Sequence, residues 1–160
     1  MADKIRAYGD FDVGLSIPYG KKLVTAEEII RFADQFDPQP MHLDEEAGKE
    51  SLLGGLAASG WHTCGIFMRL AYDAFIKHST AQGAPGVNEL RWRLPVMAGD
   101  ELTGFSTVME KRVLKSRPNM GLITFRHVVT NQRGEIAMDM ENPILIALRN
   151  PVTGQAEAGA

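Results

Sequence analysis

Residues 60–77 read GWHTCGIFMRLAYDAFIK, a helical stretch that is apolar or small on almost every side. Its polar members His62, Arg69, Asp73 and Lys77 fall in one narrow stripe at the helical repeat of roughly 100° per residue. A helix apolar nearly all round is expected to be buried nearly all round. At about 1.5 Å per residue it runs about 27 Å, the span of a small domain's centre. The rest of the chain must therefore be able to surround it. Ser59, just before it, is a good N-cap residue.

Beyond Pro85 the texture changes to strands, expected at 87–94, 101–114, 122–131 and 135–148. Alternation is clear in Ile123, Phe125 and Val129 and in Ile136, Met138 and Met140. Gly99-Asp100 and Asn131 to Gly134 are turns, the second a hairpin connection. Pro143 marks a bulge or an edge position. Upstream, Leu15 to Val24 is a strand weakened by Pro18 and Gly20. Thr25 and Glu28 then form a capping box for a helix to Phe36, whose Ala26, Ile29, Ile30, Ala33 and Phe36 share helical spacing. Pro38 and Pro40 stiffen a loop from Asp37 to Leu43, with Asp37 and Gln39 extended. Asp44 caps a short helical piece, and Gly54-Gly55 breaks the chain again. The reading is α+β: a single domain over 1–150, with one long central helix and an antiparallel sheet able to wrap it. Residues 151–160 form a loose tail.

Charge and composition narrow the function. A net charge of −3 with scattered basic residues gives no electrostatic reason to expect a nucleic-acid partner. The single Cys64 cannot form an internal disulfide and fits a reducing compartment. The first eight residues have no apolar run, so no secretory signal is expected there. The apolar run Ile144 to Leu148 is far short of the roughly 20 residues of a membrane span. A soluble, cytoplasmic protein without a membrane partner is expected.

Two features carry chemistry. Asp37 and His42 put a carboxylate and an imidazole five residues apart on the proline-stiffened segment, where both can converge on one small volume. Reference pKa values of about 3.9 and 6.5 suit one to act as base and the other as acid near neutrality. Adding water to a conjugated carbonyl needs both roles, although an arbitrary Asp-x4-His is more often a helix end and a turn. The second feature is Ser59-Gly60 at the start of the buried helix. Unpaired N–H groups there carry partial positive charge, and Gly60 has no side chain to block approach. Its N–H can serve as an oxyanion hole for charge that builds on a thioester oxygen. His62 and Cys64 lack zinc-ligand spacing, Cys64 falls on the apolar part of the helix, and no metal is expected. Lys111, Arg112, Lys115 and Arg117 are read as a solvated strand end rather than a phosphate site.

The stretch from Phe36 to Asp44 (FDPQPMHLD), followed by Gly54 to Thr63 (GGLAASGWHT), resembles the MaoC-like dehydratases, which include the (R)-specific enoyl-CoA hydratases. Leu90 to Val96 with Gly99-Asp100 is similar to that family too. The resemblance implies a hot-dog fold, a homodimer with sheets joined edge to edge, and an acyl-thioester tunnel near the interface. It also implies that Asp37 and His42, matching the Asp and His of Asp-x-Asn-Pro-x-His, are the catalytic pair, with Ser59 and Gly60 at the oxyanion site. Coenzyme A enters as part of the substrate and no other cofactor is implied. One departure is plain: the family's common Asn is Gln39 here. The rivals are a hot-dog thioesterase, for which Asp73 lies too far from Gly60, and a non-catalytic acyl-thioester binder.

Overall fold

A computed structural model describes residues 4–150; the loose tail expected after Asn150 lies outside them. The capping box forms as expected. Thr25 Oγ accepts from Glu28 N–H at 3.2 Å, and the Glu28 carboxylate accepts from Thr25 N–H at 3.2 Å. This starts α1 (Ala26–Phe36), which buries Ile29 and Ala33 and leaves Phe36 exposed. Gln39 is extended, but the loop expected through Leu43 is shorter than that. Pro40 opens a helical turn, α2 (Pro40–Leu43), and puts His42 on it. Proline suits a first helical position, where its fixed φ fits and its missing N–H is not needed. Asp44 accepts from Ala47 N–H at 2.9 Å and caps α3 (Glu45–Glu50).

The long helix, α4, runs Gly60–Ala74 and stops short of Lys77. Phe75 leaves helical geometry with its ring packed among Phe11 and Phe125, 6.1 and 5.3 Å between centroids, and Ile76–His78 form a 3-10 turn. The expectation of burial on nearly all sides is also corrected. Ile66, Phe67, Leu70 and Ala71 face the core, whereas Trp61, Met68 and Tyr72 are 61%, 46% and 45% exposed. One copy of the sheet covers one side of α4 and leaves this second apolar stripe open.

The expected strand at 15–24 splits into β1 (Ser16–Pro18) and β2 (Lys22–Leu23), both pairing with β4. The remaining strands are β3 (Glu89–Trp92), β4 (Glu101–Leu114), β5 (Arg117–Thr130) and β6 (Ile136–Ala147). Their order is β1-β4-β5-β6-β3 and every pairing is antiparallel, so β3 is an edge. At the β5–β6 turn Gly134 takes φ 75°, a conformation open to a residue without Cβ, and its N–H reaches Asn131 O at 3.0 Å. Pro143 sits opposite Thr124 of β5, past the last β3 partner at Glu141, so no β3 carbonyl is waiting for its absent N–H. Lys111 is not the solvated residue expected. Its ammonium lies 4.9 Å from the centre of the Tyr8 ring and its side chain is 10% exposed.

Candidate active site

Local sequence sets the distance between Asp37 and His42. Gln39 N–H donates to Asp37 O at 2.8 Å, and His42 N–H donates to Gln39 O at 2.9 Å, closing two successive tight turns around the prolines. A second anchor comes from the segment before α4. Ala58 N–H reaches Val96 O at 2.8 Å, and Ala57 O lies 2.6 Å from His42 Nδ1. That contact requires Nδ1 to carry a proton, because a carbonyl only accepts. In the neutral ring Nε2 is therefore the bare nitrogen. It faces Asp37 Oδ2 at 3.6 Å.

Asp37 is held at both oxygens. Ser59 Oγ–H donates to Oδ2 at 2.6 Å, and Gln39 Nε2–H donates to Oδ1 at 2.7 Å. These bonds, Ser59 first and Gln39 second, hold the carboxyl below the usual aspartate range, with the nearby His42 charge adding to them. A bare nitrogen and a carboxylate oxygen facing each other make a site for a donor that can serve both, such as a water molecule.

Ser59 stands at the N-cap position, but its side chain does not cap: it is turned to Asp37. Among the described residues no acceptor meets the N–H groups of Gly60, Trp61 or His62. The start of α4 keeps its unpaired donors and partial positive charge. Gly60 is required here by close approach, since a Cβ would come within 2.5 Å of the Trp92 indole. His42 and Gly60 open onto one cavity of about 300 Å³, walled by Met41, Leu53, Ala58, Thr63, Trp92 and Val96 among others. A carboxylate, an imidazole and free helix N–H groups thus converge beside a mostly apolar chamber.

The same family emerges from comparison. The MaoC-like domain model matches residues 18–130, about two thirds of the chain. The chain belongs to the MaoC-like family. It has the hot-dog fold, matching a MaoC-like dehydratase from Rhodospirillum rubrum at 39% identity with a TM-score of 0.84, over 91% of this chain and 99% of that one. An R-hydratase from Pseudomonas aeruginosa shares the fold with a TM-score of 0.73 at 22% identity, covering 91% and 88% of the two chains. An uncharacterized protein of Bacillus subtilis, YdeM, is 28% identical over 86% of this chain and 96% of its own length.

All four residues singled out from sequence gather in this place, but Ser59 plays a different part from the cap expected of it. Sequence reasoning missed Gln39 as a donor to Asp37 and Trp92 as a wall. Gln39 stands out in the sequence only as a departure from the family motif, and Trp92 only as one position of the Leu90 to Val96 stretch. The weaker candidates fall elsewhere. His62 stacks on Phe32 of α1 at 4.8 Å. Burial pushes the Cys64 thiol up, which disfavours the thiolate a nucleophile needs. Asp73 pairs with Arg69 at 2.7 Å and Lys77 at 3.7 Å, at the opposite end of α4.

Proposed function

We propose that this protein is a hydratase/dehydratase that adds or removes water across the α,β double bond of an enoyl thioester of coenzyme A. The observation that carries the reading is the 3.6 Å approach of His42 Nε2 to Asp37 Oδ2 beside the uncapped start of α4. In the hydration direction one water donates to both acceptors. His42 Nε2 takes one of its protons as the water oxygen bonds to Cβ. The double-bond electrons move toward the thioester carbonyl, and the N–H groups at Gly60 stabilise the resulting oxyanion. The imidazolium, held beside the Asp37 carboxylate, then returns its proton to Cα from the same face. One H and one OH have been added, and dehydration is the reverse.

Asp37 is cast as the partner that stays ionised because both its oxygens already accept hydrogen bonds and its carboxyl is held low. Support for a homodimer comes from β3, a four-residue edge strand, together with the open stripe of Trp61, Met68 and Tyr72. No helix among the described residues is long and apolar enough to cross a membrane, and the lone cysteine fits a cytoplasmic enzyme.

The test is an assay with crotonyl-CoA that follows the conjugated-thioester absorbance and free thiol together. Loss of absorbance without thiol is expected. Release of thiol would instead identify a thioesterase, and tight binding without turnover an acyl-thioester binder.

A further inference from the structure

The end of α4 remote from Gly60, about 20 Å along the helix, opens onto a second concavity. It is lined by Lys4, Arg6, Asp10, Asp73, Lys77 and His78 among others. The N-terminal segment brings Arg6 there. Arg6 N–H donates to His78 O at 2.8 Å, and Thr80 N–H donates to Arg6 O at 2.9 Å. Ala7 and Tyr8, which follow, are each 2% exposed. The backbone of Arg6 is therefore strapped to the end of α4 and anchored in the core. Its side chain is not so provided for. Nη1 is buried and meets no hydrogen-bond partner among the described residues. A guanidinium donor withdrawn from water without an acceptor is costly, and a group that supplies one is drawn to it.

The neighbouring carboxylates are already taken. Asp10 accepts from Ala7 N–H at 2.9 Å and is reached by Lys4 at 3.1 Å and by Arg149. Asp73 is reached by Arg69 at 2.7 Å and by Lys77 at 3.7 Å. Each carboxylate is thus shared by two cations, and Arg6 stands outside both groups. The negative end of the α4 dipole accounts for Lys77 and His78 at this place. It does not account for a buried guanidinium delivered by a different segment. The surplus of positive charge is more than one carboxylate balances. A phosphate monoester carries about −1.5 to −2 near neutrality, and its oxygens match the guanidinium fork. We propose that this concavity binds a phosphate group, with Arg6 as its principal donor and Lys77 as the second. The site is separate from Asp37 and His42 and does not rest on the hydratase reading.

The experiment titrates the full chain with inorganic phosphate, followed by phosphorus NMR at constant ionic strength, with chloride as the control. Saturable binding is expected in the wild type. Arg6→Gln should weaken it about tenfold or more, the scale of a hydrogen bond to a charge. Lys77→Gln should weaken it a few-fold, because that ammonium is shared with Asp73. Binding unchanged in Arg6→Gln would place the phosphate at the uncapped start of α4, the other anion-attracting point, and overturn the proposal. No saturable binding in the wild type, or an equal response to chloride, overturns it as well. Should Arg6→Gln fail to fold, Arg6→Lys keeps the charge and removes the fork, and unchanged affinity there overturns the role of Arg6. Adenosine 3′,5′-bisphosphate, the nucleotide end of coenzyme A, then identifies the source of the group. Binding tenfold tighter than inorganic phosphate, lost in Arg6→Gln, assigns it to a nucleotide; affinity no better than that of inorganic phosphate assigns it to free phosphate or a smaller ester.

Discussion

His42 and His127 are both buried, 6% and 0% exposed, and both sit among polar neighbours, yet their surroundings are opposites. Around His127 every partner is matched. Ser106 Oγ lies 2.7 Å from Nδ1, Tyr19 Oη 2.6 Å from Ser106 Oγ, and Asn142 Oδ1 2.7 Å from Nε2. An amide oxygen accepts, so Nε2 bears the proton, Ser106 donates to Nδ1 and Tyr19 donates to Ser106. Donors and acceptors run in one closed order across β4, β5 and β6, with Phe67 and Phe125 against the ring. At His42 the order is left open: two acceptors face each other, and among the described residues no acceptor meets the nearby helix N–H groups. A buried polar cluster that satisfies itself fixes a structure, whereas one that leaves matched vacancies beside a cavity is built to act on something else.

Substitutions should separate the two clusters. Asp37→Asn or His42→Ala is expected to lower kcat by roughly 10²–10⁴-fold, the usual worth of acid–base catalysis, with thermal melting close to wild type. A collapse of the melt instead would make the open cluster a structural one.

His127 should show the reverse pattern. Burial pushes its pKa down to about 4 from 6.5, so between these values the unfolded chain binds the extra proton and the folded chain does not. Stability at this residue is thus full above pH 6.5 and falls as pH drops toward 4, by at most about 3 kcal/mol. Denaturant unfolding across that range should show the loss, and His127→Gln should flatten it. A wild-type profile no steeper than the variant's would count against the contrast.

The two serines give a finer comparison. Ser59→Ala removes a donor from Asp37 but no helix cap. Turnover should fall about tenfold, the scale of one hydrogen bond to a charge, at nearly unchanged stability. The pH at which the Asp37 carboxyl titrates, followed by NMR, should rise, because Asp37 loses the largest influence holding its pKa low. Ser106→Ala should instead cost about 1–3 kcal/mol in unfolding measurements and leave the Asp37 titration alone. The smallest effect belongs to Gln39→Ala: a few-fold loss of kcat, with the Asp37 titration shifted in the same direction, since its exposed amide is the lesser of the two donors. An Asp37 titration unmoved in both Ser59→Ala and Gln39→Ala would show that these two bonds do not hold it low.

What could be read in advance follows from how local each interaction is. The Thr25–Glu28 box and the Asp44 cap each span three residues and formed as expected. Asp37 and His42 were legible for the same reason, being five residues apart with prolines fixing the path. The turn of Ser59 toward Asp37 was not legible, because it depends on an encounter 22 positions away that only the packing of α1 against α4 creates. Trp92 over Gly60 is likewise a contact between an edge strand and a helix distant in sequence. β5 begins at Arg117, five residues before the strand expected at 122–131. Arg117, Pro118 and Asn119 have neither alternation nor strand propensity, and the hairpin with Leu114 extends the strand there.

The side chain of Ser59 bears on how this protein could be engineered. Helix caps are a standard place to gain thermal tolerance, commonly about 0.5–2 kcal/mol each, and the longest helix here begins without one. Any residue that turned back to cap α4 would release Asp37 and occupy the amides to which the proposed reaction assigns the oxyanion, trading turnover for robustness. Hardening the protein therefore belongs at the far end of the molecule, around the Phe11, Phe75 and Phe125 cluster, away from the candidate site.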